Sequence, residues 1–266
     1  IGLIGFGAIG RTVARAVAAG AAGDTTIVAV LVRDPAKYEV ESTGYPYSFY
    51  GDPDLFFDSG MDMVVEVAGH DALRRYAERA LRSGMDYLTV SVGAFADDEL
   101  LERVRSAATA SGRRVLIPSG AIGGLDAISA GAIGKLDEVT ITSRKPPVAW
   151  KGTVAEREVD LDAVTEPVCL YEGPARKAAA LYPQNVNVQA ALSLAGIGMD
   201  LTRSRVFADP SVIQNTHEIL ARGAFGEVRI SISNIPSDES PKTGRITAMS
   251  VTKAIRNLTA PIVVGL

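Results

Sequence analysis

The chain has 266 residues, of which 47% are hydrophobic and 22% charged, the composition of a folded globular protein and not of a disordered one. A net charge of −4 argues against binding to nucleic acid or to an anionic membrane surface, and no apolar run approaches the roughly 20 residues of a membrane span. One cysteine and two histidines argue against a disulfide framework and a metal site. Because Ile1 already reads as strand, we expect no signal peptide and a cytoplasmic protein.

The first half of the chain alternates between strand-like apolar runs and segments with helical spacing. Strands that alternate with helices predict an α/β fold, with a parallel, doubly wound sheet of the Rossmann type. Residues 37–57 interrupt the alternation, and we interpret them as a surface loop, with a functional lid as the alternative. The predicted segments are strand 1–4, helix 11–22, strand 25–32, strand 62–67, helix 71–83, strand 86–92, helix 97–111 and strand 114–117.

The pattern changes after about residue 120, where strands alternate between apolar and polar residues as half-buried antiparallel strands do. We therefore predict a dinucleotide-binding domain over residues 1–120 and a catalytic and dimerisation domain over residues 121–245. The second domain is expected to be α+β, with an open mixed or antiparallel sheet whose exposed face favours a homodimer. Residues 246–266 form a C-terminal helix and tail that can return to the first domain. The predicted segments are helix 125–134, strand 138–145, helix 187–195, strands 205–208, 216–220 and 227–235, and helix 247–257.

A glycine-rich turn between the first strand and the first helix carries the sharpest functional signal. Gly5, Gly7 and Gly10 have the G-x-G-x-x-G spacing and enclose Ala8 and Ile9. In a strand–turn–helix context these glycines permit a tight turn, the approach of a pyrophosphate and close packing of helix on strand. The motif predicts a dinucleotide site at the helix N-terminus, and the alternative is a glycine-rich turn without a ligand.

The ends of the second and third long strands supply further candidates for cofactor contacts. Arg33 and Asp34 follow the second strand, where an acid binds the ribose 2′-hydroxyl of NAD and an arginine accommodates the 2′-phosphate of NADP. We therefore expect both NAD and NADP to be used, although either residue can instead be a solvated loop charge. Ala68 and Gly69 are small enough to let the nicotinamide half of a cofactor pass, and His70 is interpreted as a helix-entry residue.

His217 is the better candidate of the two histidines for chemistry near neutral pH. In a strand, Thr216 and Glu218 point away from it. From the residues alone, a structural or surface histidine remains the alternative. Three nearby cations are candidates for an acidic substrate, with a solvated loop as the competing interpretation: Arg144, Lys145 and Lys151.

Several longer motifs identify a resemblance that spans nearly the whole chain. They are the turn at residues 5–10, Ser-Val-Gly-Ala at 91–94, Pro-Ser-Gly-Ala-Ile-Gly-Gly-Leu-Asp at 118–126, Arg-Lys-Pro-Pro at 144–147, Trp-Lys-Gly-Thr at 150–153, Asn-Val-Asn-Val at 185–188, and Asp-Pro at 209–210 leading to His-Glu-Ile at 217–219. With these motifs the chain resembles the L-aspartate dehydrogenase family. The resemblance implies that His217 is catalytic and that Ala121 and Asn187 lie at the cofactor; His70 departs from the family pattern.

The resemblance also implies a function. It predicts an NAD(P)-dependent enzyme that interconverts L-aspartate and iminoaspartate, which hydrolyses to oxaloacetate and ammonia, and that feeds NAD biosynthesis. Two alternatives remain open: a dehydrogenase of the same fold for another amino or imino acid such as homoserine, and a protein that binds NAD(P) as a sensor without turnover.

Overall fold

The computed structural model describes residues 1–38, 46–182, 187–237 and 240–265. Within these ranges the chain divides into two units, the first formed by residues 1–118 with 248–264 and the second mainly by residues 119–247. None of the helices found in the described ranges combines the length and the apolar character needed to cross a membrane.

The helices and strands of both units are numbered here in chain order. The strands are β1 Gly2–Ile4, β2 Ala29–Leu31, β3 Ser48–Tyr50, β4 Met63–Glu66, β5 Asp86–Thr89, β6 Val115–Leu116, β7 Leu136–Lys145, β8 Val168–Pro174, β9 Arg203–Ala208, β10 Asn215–Gly223, β11 Gly226–Asn234, β12 Pro236–Ser237 and β13 Ser240–Gly244. The α-helices are α1 Ala8–Ala18, α2 Pro53–Phe57, α3 His70–Arg82, α4 Asp98–Ser111, α5 Leu125–Ile133, α6 Ala155–Glu158, α7 Ala175–Leu181, α8 Asn187–Ala195 and α9 Arg245–Arg256. Short 3-10 helices lie at Pro35–Tyr38, Val92–Ala96 and Pro147–Trp150.

The sheet of the first unit confirms the predicted doubly wound fold. Its strands are all parallel and lie in the order β3-β2-β1-β4-β5-β6. The chain moves outward from β1 in one direction through β2 and β3, and from β4 in the other through β5 and β6. Ligands of such sheets bind beyond the carboxyl ends of the strands at this switch point, which here lies between β1 and β4.

Three local predictions in this unit were wrong. Residues 37–57 are not only loop, because β3 extends the sheet and α2 follows it; residues 39–45 lie outside the described residues. Phe49 of β3 packs 5.0 Å from the ring of Phe6, and this tertiary contact outweighs the Gly- and Pro-rich flanks.

The other two wrong predictions concern helix ends. In each case a glycine that was not predicted for that role occupies the capping position: Gly20 after α1 and Gly69 before α3. Helix α1 ends at Ala18, not near residue 22, because Gly20 adopts a φ of +73° and the amides of Gly20 and Ala21 close a Schellman motif on the last turn. Helix α3 is capped by Gly69, so Asp71 lies within its first turn and is not its cap. His70 is the first residue of this helix, and Gly84 has the left-handed conformation expected after its end.

The sheet of the second unit is mixed, as predicted, with the order β11-β10-β7-β9-β8. Strand β7 pairs antiparallel with β10 and parallel with β9. Helices α5 and α8 cover one face, where Ile128 and Leu192 pack with Ile141 and Ile219. Strand β8 and helix α7 were not predicted from the sequence.

Helix α9 packs on the first unit. Its buried residues Ala248, Val251 and Ile255 join the cluster that contains Leu3 of β1 and Val30 of β2. Their spacing of three and four residues presents one apolar stripe to that cluster. The last helix therefore returns to the core of the first unit.

Candidate functional site

A buried histidine–serine pair lies on the helix-covered face of the second sheet. His217 of β10 stands opposite Ser143 of β7, and the histidine Nδ1 lies 3.0 Å from the serine Oγ. The exposed fraction of His217 is only 4%. The burial pattern of β10 alternates as predicted, so Thr216 and Glu218 face away from His217.

Lys145 lies on the same face, because it stands two residues after Ser143 in the same strand. It is buried, and its Nζ lies 5.1 Å from the centre of the Trp150 ring. That ring is itself fixed, since Trp150 is buried and its Nε1 donates a hydrogen bond of 3.1 Å to the carbonyl oxygen of Phe207. The end of β7 thus holds an amine over a rigid aromatic surface.

Burial changes the acid–base behaviour of both groups. It lowers the pKa of Lys145 to about 7, since an ammonium ion loses its hydration in this setting. Burial also lowers the pKa of His217 to about 3, and the charge of Lys145 contributes in the same direction. His217 is therefore neutral at physiological pH, and Lys145 is the group of this pair that changes charge near neutrality.

The other two cations predicted to meet an acidic substrate are engaged elsewhere. Arg144 points to the opposite face of β7, where its guanidinium lies 3.1 Å from the Asp209 carboxylate and 3.5 Å from that of Glu218. Lys151 forms an ion pair of 2.6 Å with Asp162. Of the three candidates, only Lys145 shares the face of His217.

The glycine-rich segment before α5 is held in place by a hydrogen bond from β11. Asn234 of β11 lies opposite Asn215, two residues before His217, and its Nδ2 donates a hydrogen bond of 2.9 Å to the carbonyl oxygen of Ala121. Asn187 is the first residue of α8, the helix that packs on the same sheet face. Residues 183–186, which precede it, lie outside the described residues.

The glycines of the first unit form a tight turn at the switch point. Gly5 has a φ of +95°, and a Cβ added there would lie 2.8 Å from the Cβ of Ala68. A Cβ at Gly10 would collide with the carbonyl oxygen of Gly5, whereas nothing lies within 4 Å of one at Gly7. Ala8 and Ile9 form the first turn of α1. Gly5 and Gly10 thus close the turn, and Gly7 leaves open space at the helix N-terminus.

A cleft of about 830 Å³ opens at this turn. Arg33, Tyr38, Ala68 and Arg75 contribute to its lining together with the glycine turn. Its volume falls in the range of typical small-molecule sites. Asp34 is exposed, and its carboxylate lies 3.6 Å from the Nζ of Lys37. Of the two charged residues that follow β2, Arg33 therefore lines the cleft, whereas Asp34 pairs with Lys37.

Glu66, a buried carboxylate at the end of β4, was not predicted from the sequence. Its Oε1 accepts hydrogen bonds from the amides of Ala68 and Gly69, at 2.6 and 2.8 Å, and from the Ser91 hydroxyl at 3.0 Å. Its Oε2 accepts one from the Thr89 hydroxyl at 2.5 Å. The available signal was an acid that ends an apolar strand just before an Ala-Gly pair. Glu66 fixes the loop that forms one wall of the cleft.

Both parts of the chain are similar in sequence to known protein families. Residues 126–258 match the family described as aspartate dehydrogenase, C-terminal, and residues 5–118 match the NAD binding domain of homoserine dehydrogenase. An L-aspartate dehydrogenase from Ralstonia pickettii is 41% identical over 259 residues, covering 97% of this chain and 96% of that protein. The chain belongs to the L-aspartate dehydrogenase family. A relative of the same name from Methanocella arvoryzae is 39% identical and covers all of this chain and 98% of its own.

Solved structures agree with membership of the L-aspartate dehydrogenase family. The crystal structure of aspartate dehydrogenase from Thermotoga maritima superposes with a TM-score of 0.80 at 27% identity, over 99% of this chain and 98% of that one. A homoserine dehydrogenase from Thiobacillus denitrificans gives a TM-score of 0.62 at 16% identity, covering 98% of this chain and 74% of its own, and shares the fold alone.

The second sheet of this family member carries polar and charged side chains on the face opposite α5 and α8. Thr140, Arg205, Glu218 and Arg229 line a shallow depression of about 640 Å³ there. This face carries ion pairs, including that between Arg144 and Glu218, and differs in character from the buried face that holds His217.

Proposed function

We propose that this protein oxidises L-aspartate to iminoaspartate with NAD or NADP and catalyses the reverse reductive amination. Iminoaspartate hydrolyses to oxaloacetate and ammonia. The observation that carries this proposal is the match, over nearly the full chain, to relatives named L-aspartate dehydrogenase. The second unit supports it, since it holds His217 and Lys145 on one buried face of its sheet and the interconversion of an amine and an imine requires proton transfer.

The glycine turn of the first unit fits a dinucleotide. The space over Gly7 and the free amides at the start of α1, including those of Ala8 and Ile9, suit a pyrophosphate. The bound cofactor supplies the acceptor for the hydride of the substrate. Arg33 lines the same cleft, which supports the use of NADP as well as NAD. Ala68 and Gly69 are proposed to pass the nicotinamide half.

Asp34, Ala121 and Asn187 are proposed as further cofactor contacts. For Asp34 the support is its place after β2, where an acid can meet a ribose hydroxyl. For Ala121 and Asn187 the support is the family resemblance. The hydrogen bond between Asn234 and Ala121 adds that the backbone at residue 121 is held rigidly.

In the second unit, His217 is proposed as the catalytic residue that orients the substrate and the water attacking the imino carbon. Its hydrogen bond to Ser143 fixes the ring, and a neutral imidazole has one nitrogen that donates and one that accepts. A site that binds two carboxylates would leave donors unpaired when the second carboxylate is missing, at a cost of roughly 1–3 kcal/mol each. We therefore expect alanine and homoserine to be poor substrates and glutamate to be too long by one methylene group.

The proposal extends to the oligomeric state and the cellular role of the protein. The polar face of the second sheet supports a homodimer. The family resemblance supports a cytoplasmic enzyme that supplies iminoaspartate to NAD biosynthesis.

Steady-state kcat/KM values for aspartate, glutamate, alanine and homoserine, each with NAD and with NADP, test the proposed substrate. Aspartate should be preferred over the other three, and a His217→Gln variant should lose most turnover while still binding NADH. A preference for homoserine or alanine would point to another amino-acid dehydrogenase. Binding of NADH without turnover of any amino acid would favour the sensor alternative.

A further inference from the structure

The group that moves the substrate's proton can be sought among the ionisable side chains around His217. Lys145 is the cation on the His217 face of β7, and its exposed fraction is 6%. Its backbone is held as well, because its carbonyl oxygen accepts a hydrogen bond of 2.8 Å from the amide of Asp209. The backbone of Lys145 is thus hydrogen-bonded and its amine lies over the Trp150 ring in a buried site, a setting that differs from that of a solvated surface lysine.

His217 is poorly suited to accept a proton itself. Its Nδ1 interacts with the Ser143 hydroxyl, and burial lowers its pKa to about 3, so it holds a proton too weakly to serve near neutral pH. A general base is most effective when its pKa lies near the operating pH. The pKa of Lys145, which burial lowers to about 7, meets this condition.

Among the residues that the structure describes, two other ionisable groups lie near the end of β7. The Asp209 carboxylate, beyond the end of β9, accepts hydrogen bonds from Ser211 and pairs with Arg144 on the opposite face of β7. Tyr182 packs against Trp150, with 5.4 Å between the two ring centres, and burial raises the pKa of its hydroxyl above the usual value. Neither group competes with Lys145 for a proton near pH 7.

We propose that Lys145 is the general base of the reaction and takes a proton from the α-ammonium group of the amino-acid substrate. This inference rests on the proposed function. The lone pair of Nζ forms the new N–H bond, the substrate N–H bond breaks, and its electron pair stays on the substrate nitrogen. That pair then forms the C=N bond as the α-hydride leaves to the nicotinamide cofactor. In the reverse direction the Lys145 ammonium returns the proton.

The single tryptophan of the chain offers a readout that is independent of turnover. Because the Lys145 amine stands over the Trp150 ring, its ionisation should change the tryptophan fluorescence. The emission of the intact protein should titrate with a midpoint near pH 7. The transition should be absent in Lys145→Met, which keeps the length of the side chain without its charge, and retained in His217→Gln and in the exposed-lysine control Lys151→Met.

Kinetics then separate a general base from a carboxylate-binding cation. Loss of a general base typically costs roughly 10²- to 10⁴-fold in turnover, so Lys145→Ala should lose that much of kcat, lose the inflection of kcat/KM near pH 7, and be partly rescued by added methylamine. NADH affinity should be unchanged, which also shows that the variant is folded. A raised KM for aspartate at unchanged kcat, an inflection that persists in Lys145→Met, or one that disappears in His217→Gln would overturn the assignment. Failure of the wild-type protein to oxidise aspartate would instead refute the proposed function.

Discussion

Adding one methyl group at Gly7 or at Gly10 should have opposite consequences. At Gly7 the new Cβ meets nothing within 4 Å and φ is −83°, which any residue adopts. Gly7→Ala should therefore cost only about 0.5 kcal/mol of stability, since alanine is a slightly poorer N-cap than glycine. At Gly10 the Cβ collides with the backbone oxygen of Gly5, which cannot rotate away. Overpacking of this kind costs about 3 kcal/mol.

The cofactor should respond in the reverse sense. The methyl group of Gly7→Ala occupies the open space where the pyrophosphate is proposed to meet the start of α1. Losing one or two charge-assisted hydrogen bonds at roughly 1.5–3 kcal/mol each weakens binding by about 10- to 100-fold or more. NADH titration by fluorescence and thermal unfolding of both variants measure the two effects. Since 1 kcal/mol corresponds to about 2–4 °C in Tm for a chain of this size, Gly7→Ala should melt within a few degrees of wild type.

Each of the two variants has an outcome that would refute the reasoning. A folded Gly7→Ala protein with unchanged NADH affinity would show that the phosphates do not approach this turn. A Gly10→Ala protein with the wild-type Tm would show that the packing of α1 on β1 is looser than the structure indicates.

Three further predictions concern buried or cleft-lining charges. Glu66→Ala leaves four donors unpaired and should lower the free energy of unfolding by about 3–5 kcal/mol, against about 1 kcal/mol for Glu66→Gln. Because burial raises the pKa of Glu66 above 4.5, urea titrations should show the stability of the wild type falling relative to that of Glu66→Gln as the pH rises above about 4.5. The pKa of His217 falls from 6.5 in the unfolded chain to about 3 in the folded protein. The free energy of unfolding of the wild type, measured in urea, should therefore fall by roughly 2 kcal/mol between about pH 7.5 and pH 5. An equal fall in His217→Gln would contradict this. Arg33→Ala should weaken NADPH binding by about tenfold or more and leave NADH nearly unchanged, and an unaltered affinity ratio would exclude Arg33 from the 2′-phosphate site.

Local sequence patterns determined the class of fold and the position of the glycine-rich turn at residues 5–10. The alternation of strands and helices, and the glycine spacing at residues 5–10, depend on neighbours within a few positions, so they can be read directly from the sequence. The same holds for the parity of β10, where period two already indicated that Thr216 and Glu218 turn away from His217. Strand β3 could not be predicted in this way, because three residues flanked by Gly and Pro become a strand only by pairing with β2.

The choice among the cations required the tertiary structure. Arg144 and Lys145 are consecutive, so one of them must face each side of β7, and parity alone does not say which side is buried. The register of β7 against β10, which joins residues 74 positions apart, sets Ser143 opposite His217 and so brings Lys145 to the same buried face. The partners of Glu66 at Thr89 and Ser91 are likewise brought in by the neighbouring strand. The pKa values of these groups depend on the burial that such long-range pairing creates, and burial of this kind leaves no mark on the local sequence.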